Sequence, residues 1–465
     1  MSDTETTTTH APKEPHPLRW TALGLLGLAQ LMLILDITVV AIALPHMGAE
    51  LDLDRAALTW VVSGYALTFG SLMLLGGRAA DLFGAKQVVL AGLAVFTAAS
   101  LAAGLATDAP LLLGARIAQG AGAALLSPAA LSVVVRLFDG DERNRALGIW
   151  SALGGGGAAL GVLLGGLITA GPGWAWVFFV NVPVGLVVLV ALARILPPLP
   201  RVATGSLDVP GAVLVAAATG ALIYALIRAG DHGWLDAVTL TLVAASAAAY
   251  AAFAAWQHRA AAPLMDLRLL SRRPVVAGTF VIAVTTALMV GAFFLGSFYL
   301  QNHQGHGALM TGVLFLPVAL VTMAAATTAG RVIGRLGARS LAALALAVAA
   351  SGFLLPVLWS GTAAMVTGVS IAAAGLGALF VVAAATALSS VAPHEAGVAS
   401  GIVSTFHEFG ASVGAAAVSS AAASSIAVHT ADQAASGFDD AFLVATGVAA
   451  LSAVIALWLI PTKNT

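Results

Sequence analysis

The chain has 465 residues, of which 60% are hydrophobic and only 9% charged, with a net charge of −1 and no cysteine. A soluble domain carries about 25% charged residues, so this chain cannot cover an ordinary water-facing surface. That excludes a soluble enzyme, a nucleic-acid binder and a disordered scaffold, and the missing thiols exclude disulfides and cysteine chemistry. With a mean hydropathy of +0.99, its roughly 280 apolar residues suffice for about 14 membrane helices of about 20 residues each. The composition predicts an all-α polytopic membrane protein.

Residues 1–18 are polar and predict a disordered cytoplasmic tail, followed by a first span too long for a cleavable leader. Apolar stretches bounded by Gly, Pro and charge clusters then fall at about 20–44, 57–76, 87–105, 110–137, 147–170, 174–196, 211–229, 237–257, 275–301, 310–330, 341–360, 363–390, 397–424 and 441–460. Fourteen spans put both termini on one side. Of 20 Lys and Arg, 17 fall on the face shared with the N-terminus; Arg55 and Arg228 lie on the other, and Arg116 lies inside a span. That bias predicts cytoplasmic termini in a cell or inner membrane. Eight of the nine Trp sit near span ends, as an aromatic belt requires.

A turn recurs along the chain. Gly77-Arg78-Ala79-Ala80-Asp81-Leu82-Phe83-Gly84-Ala85-Lys86 joins spans 2 and 3, and a degraded copy, Gly330-Arg331-Val332-Ile333-Gly334-Arg335-Leu336-Gly337-Ala338-Arg339, joins spans 10 and 11. Recurrence of a turn between corresponding helices marks transporters built from repeats. The two copies are 253 residues and eight spans apart rather than six, which predicts two helices inserted between six-helix halves. The expected organisation is 19–200 and 263–461 as halves, 201–262 as spans 7 and 8, and 462–465 as a cytoplasmic end.

The first turn resembles the loop between spans 2 and 3 of the major facilitator superfamily. Leu35-Asp36-Ile37-Thr38-Val39-Val40-Ala41-Ile42-Ala43-Leu44-Pro45, Trp60-Val61-Val62-Ser63-Gly64-Tyr65-Ala66-Leu67, Trp176-Val177-Phe178-Phe179-Val180-Asn181-Val182-Pro183 and Pro263-Leu264-Met265-Asp266-Leu267-Arg268-Leu269 look like motifs of its 14-span branch of drug:proton antiporters. Arg116-Ile117-Ala118-Gln119-Gly120-Ala121-Gly122 is similar to the superfamily's fourth-span motif. The resemblance implies a major facilitator fold and a cytoplasmic gate at Gly77, Arg78, Asp81, Gly84 and Lys86, with Arg143 and Arg145 of the next inner loop. It also implies close helix packing at Gly157, Gly161 and Gly165. Two departures stand out: Val162 replaces the proline of the fifth-span antiporter motif, and Gly334 replaces the aspartate of the second turn.

Three charged residues lie well inside spans: Asp36, Arg116 and Glu408. Each costs about 2.5–3.5 kcal/mol near the bilayer centre, so each must be paired or line a cavity. Asp36 and Arg116 lie roughly 12 and 9 Å from the outer ends of their spans and can pair, and Glu408 lies roughly 17 Å from an inner end. Ser400, Ser404, Glu408 and Ser412 recur every four residues on one helix face, with His407 beside them. Asp36, Glu408 and Arg116 are the expected proton-coupling groups, and Thr38, Tyr65, Gln119, Ser400, Ser404 and His407 the expected cavity lining.

The predicted function is proton-coupled efflux of small amphipathic or cationic compounds, including antibiotics, by alternating access. The gradient replaces any cofactor, and the expected form is a monomer without nucleic-acid partners. Export of a dedicated metabolite, lipid or pigment is the alternative in the same fold. A membrane-embedded enzyme would need a clustered catalytic set, and His303 and His306 have no acidic companion for a metal site. A nucleotide-binding loop is absent from the sequence, and nothing repeats like a channel filter.

Overall fold

The computed structural model describes residues 17–197, 201, 206–264, 267–389, 391, 396–423 and 431–461. All but two residues of the tail expected over 1–18, and the end at 462–465, lie outside these. The described chain is helical: α1 (Arg19–Leu51), α2 (Arg55–Phe83), α3 (Ala85–Gly104), α4 (Ala109–Leu137), α5 (Gly140–Ala170), α6 (Trp176–Phe179), α7 (Asn181–Ile195), α8 (Val209–His232), α9 (Ala237–Gln257), α10 (Arg273–Phe298), α11 (Ala308–Leu336), α12 (Ala338–Leu358), α13 (Thr362–Leu388), α14 (Ala396–Ala421) and α15 (Ala431–Leu459). Each apolar stretch read from the sequence falls on a helix, with α6 and α7 sharing one. Among the described residues, twelve helical segments are long and apolar enough to cross a membrane.

The ends of the helices have local causes. Asp54, Asp108, Asp208 and Asp236 cap α2, α4, α8 and α9 by accepting from the backbone N–H three residues on, which satisfies donors left open in the first turn. The recurring turn is reproduced in three dimensions. Gly84, at φ 100°, separates α2 from α3, and Gly337, at φ 77°, separates α11 from α12. A side chain is strained in that left-handed region, so the glycines 253 residues apart hold equivalent corners.

Two bundles form. One packs α1 on α5, α2 on α4 and α3 on α4 and α7; the other packs α10 on α13 and α14, α11 on α13, and α12 on α13 and α15. Small residues set the closest approaches. A Cβ on Gly76 would lie 2.0 Å from the Ala124 carbonyl oxygen, and one on Gly375 would lie 2.1 Å from that of Ala345. Helices in lipid gain little from burying apolar surface against each other, so such backbone contact supplies the association. The bundles meet through α2 against α14 and α5 against α11.

Helices α8 and α9 are held together by Ser246 Oγ donating to the Ala218 carbonyl (2.8 Å) and by the Thr219 and Tyr250 hydroxyls (2.8 Å). The α8 helix lies along both α2 and α14. At its start, the buried Asp208 accepts from Gly211 N (2.9 Å), Trp256 Nε1 (2.7 Å), Gln257 Nε2 (2.6 Å) and Leu264 N (3.3 Å). Burial alone would raise this carboxyl, but the donors outweigh it and hold Asp208 below its ordinary value.

Candidate functional site

Asp36 and Arg116 meet in the interior of the first bundle. The Arg116 guanidinium donates through Nη1 to Asp36 Oδ2 and to Gln119 Oε1 (2.9 Å), and through Nε to the Val61 carbonyl (2.9 Å). Gln119 Nε2 donates to Asp36 Oδ1 (3.2 Å) and to Ser100 Oγ (2.8 Å). The cation also lies 4.4 Å from the Tyr65 ring centroid, within cation–π range. Arg116 is 1% and Asp36 2% exposed. Both carboxylate oxygens have donors, so this network ties α1, α2, α3 and α4 together as a closed polar knot.

Glu408 has a different environment. It is 4% exposed on α14, at the seam between the bundles, where a Cβ on Gly70 of α2 would lie 2.6 Å from the Glu408 Cβ. Its Oε1 is 3.9 Å from His407 Nε2, and its buried Oε2 has no hydrogen-bond partner among the described residues. His407 turns toward the second bundle, with Nδ1 3.1 Å from Thr286 Oγ1 on α10 and its ring 5.7 Å from that of Phe380 on α13. The Tyr65 hydroxyl is also buried, with no hydrogen-bond partner among the described residues.

The other expected lining residues divide by exposure. Gln119 is fully buried in the knot, and Thr38 is half-buried, its hydroxyl donating to its own helix at Leu35 O (3.2 Å). Along α14, Ser400 is exposed, Ser404 half-buried and Ser412 fully buried. The polar stripe thus runs from an exposed helix end to Glu408 and ends in the seam, where Ser63 Oγ donates to the Ser412 carbonyl (2.9 Å).

At the end of the molecule carrying the α1–α2 turn, called distal here, three contacts join the bundles. Arg55, 6% exposed, donates to Ser419 O (3.1 Å), Ser419 Oγ (3.1 Å) and Ile227 O (2.7 Å), and pairs with Asp231 (2.6 Å). Gln301 Nε2 donates to the Ile42 carbonyl (2.9 Å). A Cβ on Gly166 of α5 would lie 2.7 Å from the Ala308 carbonyl oxygen of α11, and one on Gly312 2.8 Å from that of Val162. Arg55 reads in the sequence as a loop charge that sets topology; in the structure it is a buried clasp joining α2, α8 and α14. Val162, in the position of the family proline, lies in an unbroken α5 and is fully buried in this contact.

At the opposite, proximal end, the ion pairs described each stay within one bundle. Asp81 pairs with Arg136 of α4 (3.2 Å). Arg143 pairs with Asp139 (3.1 Å), Arg145 stacks over Trp20 (5.3 Å), and Arg19 forks onto Glu142 with two 2.9 Å bonds. That hydrogen-bonded fork holds the Glu142 carboxyl below its ordinary value. Lys86 donates to the Ala193 (2.9 Å) and Leu196 (2.5 Å) carbonyls at the end of α7. Gly77 has ordinary room, with a Cβ 3.8 Å from Pro128. Gly157, Gly161 and Gly165 line the face of α5 against α1, where added Cβ atoms would meet Ile34, Thr38 and Val39 at 3.0 Å or less.

Among the described residues no three His, Asp or Glu side chains gather as a metal set. His303 packs on Tyr299 and Phe438, while His306 bonds Thr362 (2.7 Å).

The Major Facilitator Superfamily profile matches residues 26–415. The chain is 35% identical to the puromycin resistance protein pur8 of Streptomyces alboniger, covering 97% of this chain and 93% of that one. It is 36% identical to the cephamycin export protein CmcT of Amycolatopsis lactamdurans, covering 94% and 91%. Among solved structures, a bacterial homologue of the human lysosomal transporter Spinster, inward-facing and unoccupied, superposes with a TM-score of 0.68 at 15% identity, over 97% of this chain and 98% of that one. The xylose transporter XylE from E. coli, in a partially occluded inward-open conformation, superposes with a TM-score of 0.65 at 13% identity, over 96% and 99%. With its paired bundles, the corner glycines of its repeated turn and a profile match over most of its length, the chain belongs to the Major Facilitator Superfamily.

Proposed function

We propose that the protein exports antibiotics or other small amphipathic compounds across the cell membrane in exchange for protons, by alternating access. The observation that carries the reading is Glu408: a buried carboxylate with one unpartnered oxygen, set at the seam where the bundles must part. A carboxylate that gains and loses water as the seam opens binds and releases a proton with each cycle, and rocking of two bundles about such a site couples that proton to cargo. Asp36 is the weaker carrier, since both of its oxygens are engaged by a buried cation and an amide. In this reading Asp36–Arg116 is a positioning knot.

The resistance and export names of the two curated relatives support efflux of natural products. The cephamycin exporter favours, as a second reading, a single dedicated metabolite as cargo. The charge bias supports a cytoplasmic proximal end and cytoplasmic termini. A count of fourteen spans takes α5 and α14, helices of 31 and 26 residues, as crossing the membrane together with the twelve. The halves are then 19–200 and 263–461, with 201–262 inserted. The distal contacts between bundles support an inward-facing state; beyond Ala319 the proximal half of α11 contributes only Ala329 to the buried set. The gate turn at Gly77–Lys86 would engage the second bundle when the transporter reverses.

Purified protein in proteoliposomes with an imposed pH gradient tests the proposal. Puromycin and cephamycin should move against the proton flux and stop when the gradient is collapsed. Gradient-independent movement would remove the coupling, and movement of one compound alone would favour the dedicated exporter.

A further inference from the structure

His407 stands between the buried Glu408 carboxyl and open space. Its side chain is 36% exposed, against 6% for Glu408, and its ring lies toward α10 and α13, at Thr286 and Phe380. Ser400, Ser404 and His407 follow the i, i+4, i+7 spacing that keeps side chains on one helix face. Ser400, at the proximal end of that face, is exposed and Ser404 half-buried. On the reading of Glu408 as the proton carrier, we propose that His407 is a proton-transfer residue, passing the proton between Glu408 and water on the proximal side.

Thr286 fixes which nitrogen can act. A hydroxyl has one hydrogen, and Thr286 donates it to the Ile282 carbonyl (2.9 Å). The 3.1 Å contact with His407 Nδ1 is then a hydrogen bond only if Nδ1 donates. Neutral His407 is therefore the Nδ1–H tautomer, and its bare Nε2 lies 3.9 Å from Glu408 Oε1. The other tautomer would set an N–H there and could take no proton. A small rotation of the Glu408 side chain brings the pair into hydrogen-bond range, as acid–base pairs tighten when they act. In release, the Glu408 Oε1–H bond breaks and the Nε2 lone pair takes the proton, leaving a carboxylate beside an imidazolium. The imidazolium then gives its Nε2 proton to water beside the exposed ring, while Thr286 holds Nδ1–H. The imidazole returns to its starting tautomer, and uptake is the reverse.

The helices packed on α14 offer His407 few rival partners. Beyond Arg273, α10 carries no ionisable side chain, and α13 carries none at all. Between Arg55 and Arg78, α2 carries only Tyr65. The ionisable groups of α8, from Tyr224 to His232, lie in its distal part, and those of α15, Asp432, Asp439 and Asp440, near its distal start. The Tyr250 hydroxyl of α9 is bonded to Thr219. Glu408 is thus the acid that faces Nε2.

Caged-proton photolysis on the full chain in nanodiscs, with infrared detection of protonated carboxyl groups, follows this step without cargo or a gradient. The band lost in Glu408→Gln belongs to Glu408. His407→Gln should keep that band but slow its appearance about 100-fold. In His407→Ala, whose short side chain leaves room, free imidazole should restore part of the rate, which a packing role would not allow. Thr286→Val should slow the step about fivefold, the equivalent of one hydrogen bond, and Thr286→Ser should match the parent. Parent-like kinetics in His407→Gln would overturn the transfer role and leave Glu408 as carrier. Slowing that imidazole does not restore and Thr286→Val does not reproduce would overturn it as well. If Glu408→Gln loses no band, the carrier assignment itself fails. If the His407 variants do not fold, the two Thr286 variants decide.

Discussion

Removing the Arg55 clasp should shift the protein toward a state open at the distal end. The guanidinium makes three hydrogen bonds, two across the seam to Ser419 O and Ser419 Oγ of α14 and one to Ile227 O of α8, which lies along α14. Each such bond contributes about 1 kcal/mol net. The pair with Asp231 adds no more than about 1 kcal/mol, because that carboxylate is 45% exposed. Arg55→Gln therefore weakens distal closure by about 3–4 kcal/mol. At about 1.4 kcal/mol per tenfold change, the closed-to-open ratio falls roughly 150- to 700-fold. The chain has no cysteine, so spin labels at Ala49→Cys and Ser360→Cys report only the distal span between the bundles. Double electron–electron resonance should give one short distance in the parent and a dominant longer one with Arg55→Gln. An unchanged distribution in the variant would refute the clasp. Asp231→Asn, which leaves the three bonds in place, should shift the distribution much less.

Other expected outcomes follow from the packing and the charges. Arg116→Met strands a buried carboxylate and should lower stability by about 3–5 kcal/mol, while adding Asp36→Asn should restore part of it in a double-mutant cycle of detergent melting curves. Gly76→Val forces a side chain into the Ala124 carbonyl and should abolish folded protein on size exclusion, whereas Gly334→Ala, which would meet nothing within 4 Å, should be silent. Asp208 has a depressed folded-state value, so its contribution is present above the unfolded value of about 3.9 and is lost as pH falls through the folded one. Asp208→Asn should cost about 2 kcal/mol at neutral pH, and the gap to the parent should close in melts below about pH 4.

The spans were legible because a helix in lipid must be long and apolar, a property each segment carries by itself. The repeat was legible for a similar reason: Gly84 and Gly337 answer a local backbone demand. The Asp36–Arg116 pair followed from depth, since two charges at one level in hydrocarbon have few alternatives to each other. The clasp was hidden, because Arg55 reaches Ser419 across 364 residues and sits among loop charges in the sequence. The pairing of Asp81 with Arg136 was hidden too, because it depends on α4 lying alongside α2. Charge inside a span thus flagged the knot and Glu408, while only packing separated the partnered carboxylate from the unpartnered one.

The most direct measurement is proton release on substrate binding, followed with a pH indicator on detergent-purified protein in weak buffer. The parent should release a proton on addition of a transported compound. Glu408→Gln should bind the compound and release none, and Asp36→Asn should still release one if it folds. Full proton release from Glu408→Gln would contradict the assignment of Glu408 as the carrier.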